Sequence, residues 1–177
     1  MAARAAAAPS LWWGPLSGLG LAVAVAVAVV DQASKLWLLL WFDLGARGMV
    51  TLTPFLDLVL IWNRGISYGL FQQDGPLGQW VLIALKVLAV ALLWIWLARA
   101  STRLTALALG LIIGGAVGNA VDRLHWPGVM DFVLLHVDLG GGRYNWYVFN
   151  LADAAIVAGV IGLLYETLFR ERAAKAP

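Results

Sequence analysis

The stretch LSGLGLAVAVAVAVVDQASKLWLLL, residues 16–40, carries only two charges, Asp31 and Lys35. A membrane helix needs about 20 mostly apolar residues, at roughly 1.5 Å rise each, to cross a hydrocarbon core of about 30 Å. This stretch is long enough, and three further windows qualify: residues 77–97 (with Lys86), 104–121 and 149–169. The expected architecture is an integral membrane protein, mainly α, with four transmembrane helices in one membrane domain, residues 1–177. Arg4 ahead of an Ala/Val-rich run also fits a cleavable secretory signal. The apolar character resumes after Lys35 and three spans follow, so a retained first helix is expected, with Ala2–Ala8 as a frayed end.

Composition agrees. Of the 177 residues, 62% are hydrophobic and 12% charged, about half the charge content of soluble domains, and the mean hydropathy is +0.84. A water-soluble fold of this size could not hide that much apolar surface. The net charge of +2 comes from scattered basic residues, which excludes a nucleic-acid partner. With no cysteine, thiol catalysis, disulfides and thiolate metal sites are excluded.

Arginine and lysine set the orientation. Arg4, Arg99, Arg103, Arg170, Arg172 and Lys175 fall on one side, with Glu171 the nearby acid there. Asp43, Asp57, Asp74, Asp131 and Asp138 share the other with Arg47, Arg64, Arg123 and Arg143. Both termini are therefore expected in the cytoplasm, with outer segments at 43–76 and 122–148. Trp12, Trp13, Trp94 and Trp96 suit an inner aromatic belt, and Trp146 and Tyr147 an outer one. The outer segments contain strand-like pieces, 50–53, 55–62 and 129–137, with Gly140-Gly141-Gly142 as a turn and an aromatic run at 144–148. These could form a small extracytoplasmic sheet; two packed loops fit the same residues.

Ionisable residues inside spans cost roughly 2.5–3.5 kcal/mol each and need a reason. Asp31 and Lys35 are four apart on one helical face and can pair. Asp122 lies about 27 Å along its helix from Leu104, and Asp153 about 24 Å from Phe169, so in antiparallel helices they reach a common depth. Asp131 follows the reversal at Pro127-Gly128 and turns back toward them. Lys86 falls near the bilayer midplane, where an ion pair within the bundle is expected.

Neighbouring carboxylates share a proton. That suits peptide hydrolysis, one carboxylate taking a proton from water while its protonated partner polarises the carbonyl. Proton-coupled transporters also carry membrane acids, with Asp31, Asp122 and Lys86 as a candidate relay. A Ser67–Lys35 dyad is a further reading. His125 and His136, eleven residues apart, offer no metal-ligand spacing.

Five blocks carry a resemblance: Asp31-Gln32-Ala33-Ser34-Lys35, Asn63-Arg64-Gly65-Ile66-Ser67-Tyr68-Gly69, Gly118-Asn119-Ala120-Val121-Asp122-Arg123, Val129-Met130-Asp131-Phe132 and Phe149-Asn150-Leu151-Ala152-Asp153. In this order they resemble the lipoprotein signal peptidases (type II signal peptidases), aspartic proteases of the bacterial inner membrane with four spans. The resemblance implies cleavage of diacylglyceryl-modified prolipoproteins just before the lipobox cysteine, at the outer membrane face. It also implies a β-cradle and a juxtamembrane helix that grip the substrate amid membrane lipids, no metal or other cofactor, and inhibition by globomycin-type antibiotics. A monomer is expected. Depth alone would pair Asp122 with Asp153, whereas the resemblance places the catalytic dyad at Asp131 and Asp153. Asp31, Lys35, Asn63, Asn119, Asp122, Arg123, Asn150 and Ala152 then form the supporting and substrate-binding set.

Overall fold

The computed structural model describes residues 10–65 and 76–174. Arg4, Ser67, Asp74 and Lys175, with the Ile66-Ser67-Tyr68-Gly69 part of the outer-loop block, lie outside the described residues. The elements run α1 (Ser17–Leu40), α2 (Leu44–Arg47), β1 (Val50–Thr53), β2 (Leu56–Asn63), α3 (Pro76–Ala98), α4 (Arg103–His125), β3 (Val129–Leu139), β4 (Gly142–Asn145) and α5 (Leu151–Ala174). Among the described residues, α1, α3, α4 and α5 are long and apolar enough to cross a membrane. Their outward faces expose Val25, Val29, Leu88, Leu92, Ile161 and Leu164, as helices bathed in lipid require.

The central and most buried helix is α4. Lipid tails are as apolar as leucine, so helices in a membrane associate by close packing through small residues. Here Gly110, Gly114 and Gly118 form a stripe against α1: a Cβ on Gly114 would lie 2.5 Å from the Ala24 carbonyl oxygen, and one on Gly110 2.6 Å from that of Gly20. On another face, a Cβ on Gly115 would lie 2.4 Å from the Ala152 carbonyl oxygen of α5. Substituting these glycines would therefore push helix backbones apart.

At one end of the bundle Trp94 donates its indole N–H to the Trp12 carbonyl (2.9 Å). There the Thr102 hydroxyl caps α4, accepting from the Thr105 N–H at 3.0 Å. Both threonine hydroxyls donate to the carboxylate of Glu166, an acid of the fourth span, so its buried oxygens are satisfied where water is scarce.

At the opposite end the two outer segments join in one antiparallel sheet, ordered β1-β2-β3-β4, and this decides between cradle and packed loops. β2 pairs with β3 from Leu56↔Leu135 to Asn63↔Val129, with a shift between Leu58 and Ile61. The β3–β4 hairpin turns on Gly140 (φ 59°) and Gly141 (φ 91°), where two successive left-handed residues match the strand twist. Beyond β4 the chain returns along β3: Trp146 donates to the Leu135 carbonyl (2.8 Å), and Phe149 exchanges hydrogen bonds with Val133 (2.8 and 3.0 Å). That return leaves Asn150 at the start of α5, beside Asp131. The single turn α2 anchors through the fully buried Leu44, packed with Leu38, Met130 and Phe132.

Candidate active site

The faces of α4 sort the polar residues. Asp122 is one turn beyond Gly118 and continues the stripe toward α1. Asn119 is one turn beyond Gly115 and continues the stripe toward α5. Depth alone does not reveal this difference in direction, and it separates two carboxylates at the same height.

Toward α1, Lys35 Nζ lies 2.7 Å from Asp31 Oδ2 and 2.7 Å from Asp122 Oδ2, with all three side chains buried. The other oxygens are also taken. Gln32 Nε2 donates to Asp122 Oδ1 (2.7 Å), the Met130 N–H donates to Asp122 Oδ2 (3.0 Å), and the Ala152 N–H donates to Asp31 Oδ1 (3.0 Å). Two of these donors directly adjoin Asp131 and Asp153 in sequence. The triad thus ties the start of β3 and the first turn of α5 to α1.

Toward α5, Asn119 and Asn150 link the remaining carboxylates. Asn119 Nδ2 donates to Asp153 Oδ1 (2.8 Å), and Asn150 Nδ2 donates to Asp131 Oδ1 (2.7 Å) and to Asn119 Oδ1 (3.0 Å). The Asn150 N–H donates to Asp153 Oδ2 (3.2 Å) while the Asp153 N–H returns a bond to Asn150 Oδ1 (3.0 Å), so the pair caps α5. Lys35 Nζ also donates to Asn119 Oδ1 (3.1 Å). Asn63 Nδ2 holds Asp131 Oδ2 (3.1 Å) from β2. Arg123 donates to the carbonyls of Gly65 and Asn119.

Asp131 and Asp153 line one cavity of about 340 Å³, together with Asn63, Asn119, Arg123, Tyr147 and Lys86. Burial, and then the neighbouring charge of Asp153, push the Asp131 carboxyl up to about 7, against the hydrogen bonds from Asn63 and Asn150. Such a pair can hold one proton near neutral pH and exchange it with a bound group.

All ten residues singled out in the sequence fall in this region. Asn63, Asn119, Arg123, Asp131 and Asp153 line the cavity, while Asp31, Lys35, Asp122, Asn150 and Ala152 stand behind it. The pairing of Asp122 with Asp153 by depth is corrected: Asp122 bonds to Lys35, Gln32 and Met130, because its face of α4 turns to α1. The ion pair expected for Lys86 is not formed with any described residue. Ser67 lies outside the described residues. The sequence reading missed Gln32, which also donates to the Gly118 carbonyl (3.0 Å), although an amide beside Asp31 in a span was a signal. It also missed Tyr147 as a wall of the cavity.

A family model described as Signal peptidase (SPase) II matches residues 23–169. The chain is 63% identical over 158 residues to a lipoprotein signal peptidase of Nitrobacter hamburgensis, covering 89% of this chain and 96% of that one. It is 55% identical over 159 residues to one of Rhodopseudomonas palustris (90% and 97% covered), and 60% identical over 153 residues to one of a Methylobacterium species (86% and 90%). A bacterial membrane enzyme solved by the in meso method has the same fold, with a TM-score of 0.73 at 23% identity over 90% of this chain and 92% of that one.

Proposed function

The chain belongs to the signal peptidase II family, and from that premise we propose that it removes the signal peptide from diacylglyceryl-modified prolipoproteins, cutting before the lipobox cysteine. One observation carries the chemistry: two carboxylates from separate elements, Asp131 and Asp153, face one cavity and are bridged by Asn119 and Asn150. Asp153 accepts the proton of an attacking water, and protonated Asp131 hydrogen-bonds the scissile carbonyl oxygen. The tetrahedral intermediate collapses as the proton passes to the leaving amine of the cysteine, giving a free signal-peptide carboxylate. Asn63, Asn119 and Asn150 fix the two carboxylates. The triad of Asp31, Lys35 and Asp122 fixes the backbone on either side through Met130 and Ala152, and Arg123 frames the cavity.

The setting follows the same reading. The protein is a multi-pass bacterial membrane protein. Arg99 and Arg103 at the end of the bundle opposite the sheet support cytoplasmic termini and a site at the outer face of the inner membrane. The sheet and α2 cradle the substrate among membrane lipids, globomycin-type inhibitors occupy the cavity, and a monomer suffices. A transporter relay through Asp31 and Asp122 is not favoured, since Lys35 locks both.

Purified protein should cleave a lipidated prolipoprotein, spare its unlipidated form, and be blocked by globomycin. EDTA should leave the rate unchanged. Cleavage indifferent to lipidation, or lost with EDTA and restored by zinc, would contradict the proposal.

A further inference from the structure

Among the described residues, four charged side chains line the cavity: Lys86, Arg123, Asp131 and Asp153. Arg123 donates to two carbonyls, and the oxygens of both aspartates accept from asparagine side chains or backbone. Lys86 differs. It forms no hydrogen bond, and no ion pair within 4.0 Å, with any described residue. Lys35, the other lysine of the region, is by contrast fully engaged.

Lys86 lies ten residues into α3, about 15 Å from the sheet end by helical rise. Besides its polar groups, the cavity is lined by Leu82, Leu85 and Ala89 of α3 and by Ile156 and Val157, one turn past Asp153 on α5. An unpartnered ammonium at that depth is unfavourable, and such residues in spans mark pathways for polar groups. The group that enters here on the reading above is a peptide. A chain unwound for cleavage presents backbone carbonyls without partners, and a bilayer offers them none. The scissile bond sits at the aspartates near the sheet end, so the signal-peptide residues before it run toward the middle of the bundle, past Lys86.

We propose that Lys86 is a substrate-positioning residue whose ammonium donates hydrogen bonds to main-chain carbonyls of the signal peptide just before the scissile bond. This rests on the peptidase reading of the cavity. The contact recognises no side chain, so it suits an enzyme acting on many precursors. Its three donors on a flexible stem tolerate variation in peptide position, and a charged donor makes the stronger kind of hydrogen bond.

The test compares wild type, Lys86→Met, Lys86→Gln and Lys86→Arg on one lipidated precursor. Lys86→Met keeps the stem and should raise KM on the order of tenfold, with kcat within about threefold and the pH profile unmoved. Lys86→Arg should stay near the wild-type KM, and Lys86→Gln should fall between. Binding of the uncleaved precursor to Asp153→Asn should weaken by the same factor when Lys86→Met is added, a readout that needs no turnover. Unchanged KM and unchanged precursor binding in Lys86→Met would overturn the proposal, as would a fall in kcat alone with a shifted pH profile. A wild-type protein that cleaves no prolipoprotein would instead overturn the peptidase reading itself.

Discussion

Among the described residues, aspartates are buried against cations in two places, and the two places are built differently. In the bundle, Asp31 and Asp122 share Lys35, and a side-chain or backbone donor meets every carboxylate oxygen. In the sheet, buried Asp57 meets Arg143, whose side chain is 36% exposed, and His136, whose Nε2 lies 3.4 Å away without a hydrogen bond. The first cluster ties α1 and α4 to β3 and α5, the two elements that carry Asp131 and Asp153. The second joins neighbouring strands already held by their own ladder. Full satisfaction marks the cluster on which the geometry of the site depends.

Breaking the bundle cluster should have the larger effect. Lys35→Met leaves two carboxylates buried without their cation, a class of change that costs about 3–5 kcal/mol. Thermal unfolding in detergent should show a large loss of stability, with cleavage reduced alongside. A change no greater than that of a surface substitution would show that the triad carries no such load.

The next effect concerns pH. Asp131 is a carboxyl raised to about 7 by burial and by Asp153, so it keeps its proton below that value and loses it as pH rises through it. On the proposed mechanism cleavage needs the protonated form, so the rate should fall above pH 7, approaching tenfold per unit. For stability the sign is the same: the folded form binds this proton more tightly than the unfolded one, so the contribution fades between about pH 4 and 7. A rate flat from pH 6 to 9 would remove Asp131 as the proton holder.

The smallest effect belongs to the sheet. Burial would raise the Asp57 carboxyl, but the nearby Thr51 side chain and the charges of Arg143 and His136 outweigh it and hold it below the usual range. Its contribution is therefore present above the ordinary carboxylate value and lost only as pH falls below about 4. His136→Phe replaces two ring nitrogens that make no hydrogen bond. It should change stability by no more than about 1 kcal/mol, read by the same unfolding assay. A loss matching that of Lys35→Met would erase the contrast between the clusters.

How much of this was legible follows from the range of each interaction. The spans were legible because lipid demands an unbroken apolar helix, and Asp31–Lys35 because a four-residue spacing fixes a shared face. The direction of Asp122 was not read from depth, although the Gly110, Gly114, Gly118 spacing that leads to it points toward a helix neighbour. The sheet was only half legible: β3 begins Val129-Met130-Asp131-Phe132, buried on both faces, so it shows no alternation there. Its pairing with β2, roughly seventy residues away, leaves no local trace. Lys86 could be seen as costly, but its place in the cavity depends on α5, which no spacing within α3 reveals. For the catalytic pair, the motif resemblance pointed to Asp131 where helix geometry pointed to Asp122.

That choice can be measured directly. Asp131→Asn and Asp122→Asn, each purified and shown to be folded by its unfolding transition, should be compared for initial cleavage of one lipidated precursor. Asp131→Asn should lose about 10²–10⁴-fold or more in rate, Asp131→Asn with Asp153→Asn should be little worse than either alone, and Asp122→Asn, though less stable, should still cleave measurably. Near wild-type cleavage by folded Asp131→Asn, with folded Asp122→Asn inactive, would contradict the assignment of Asp131 to the catalytic pair.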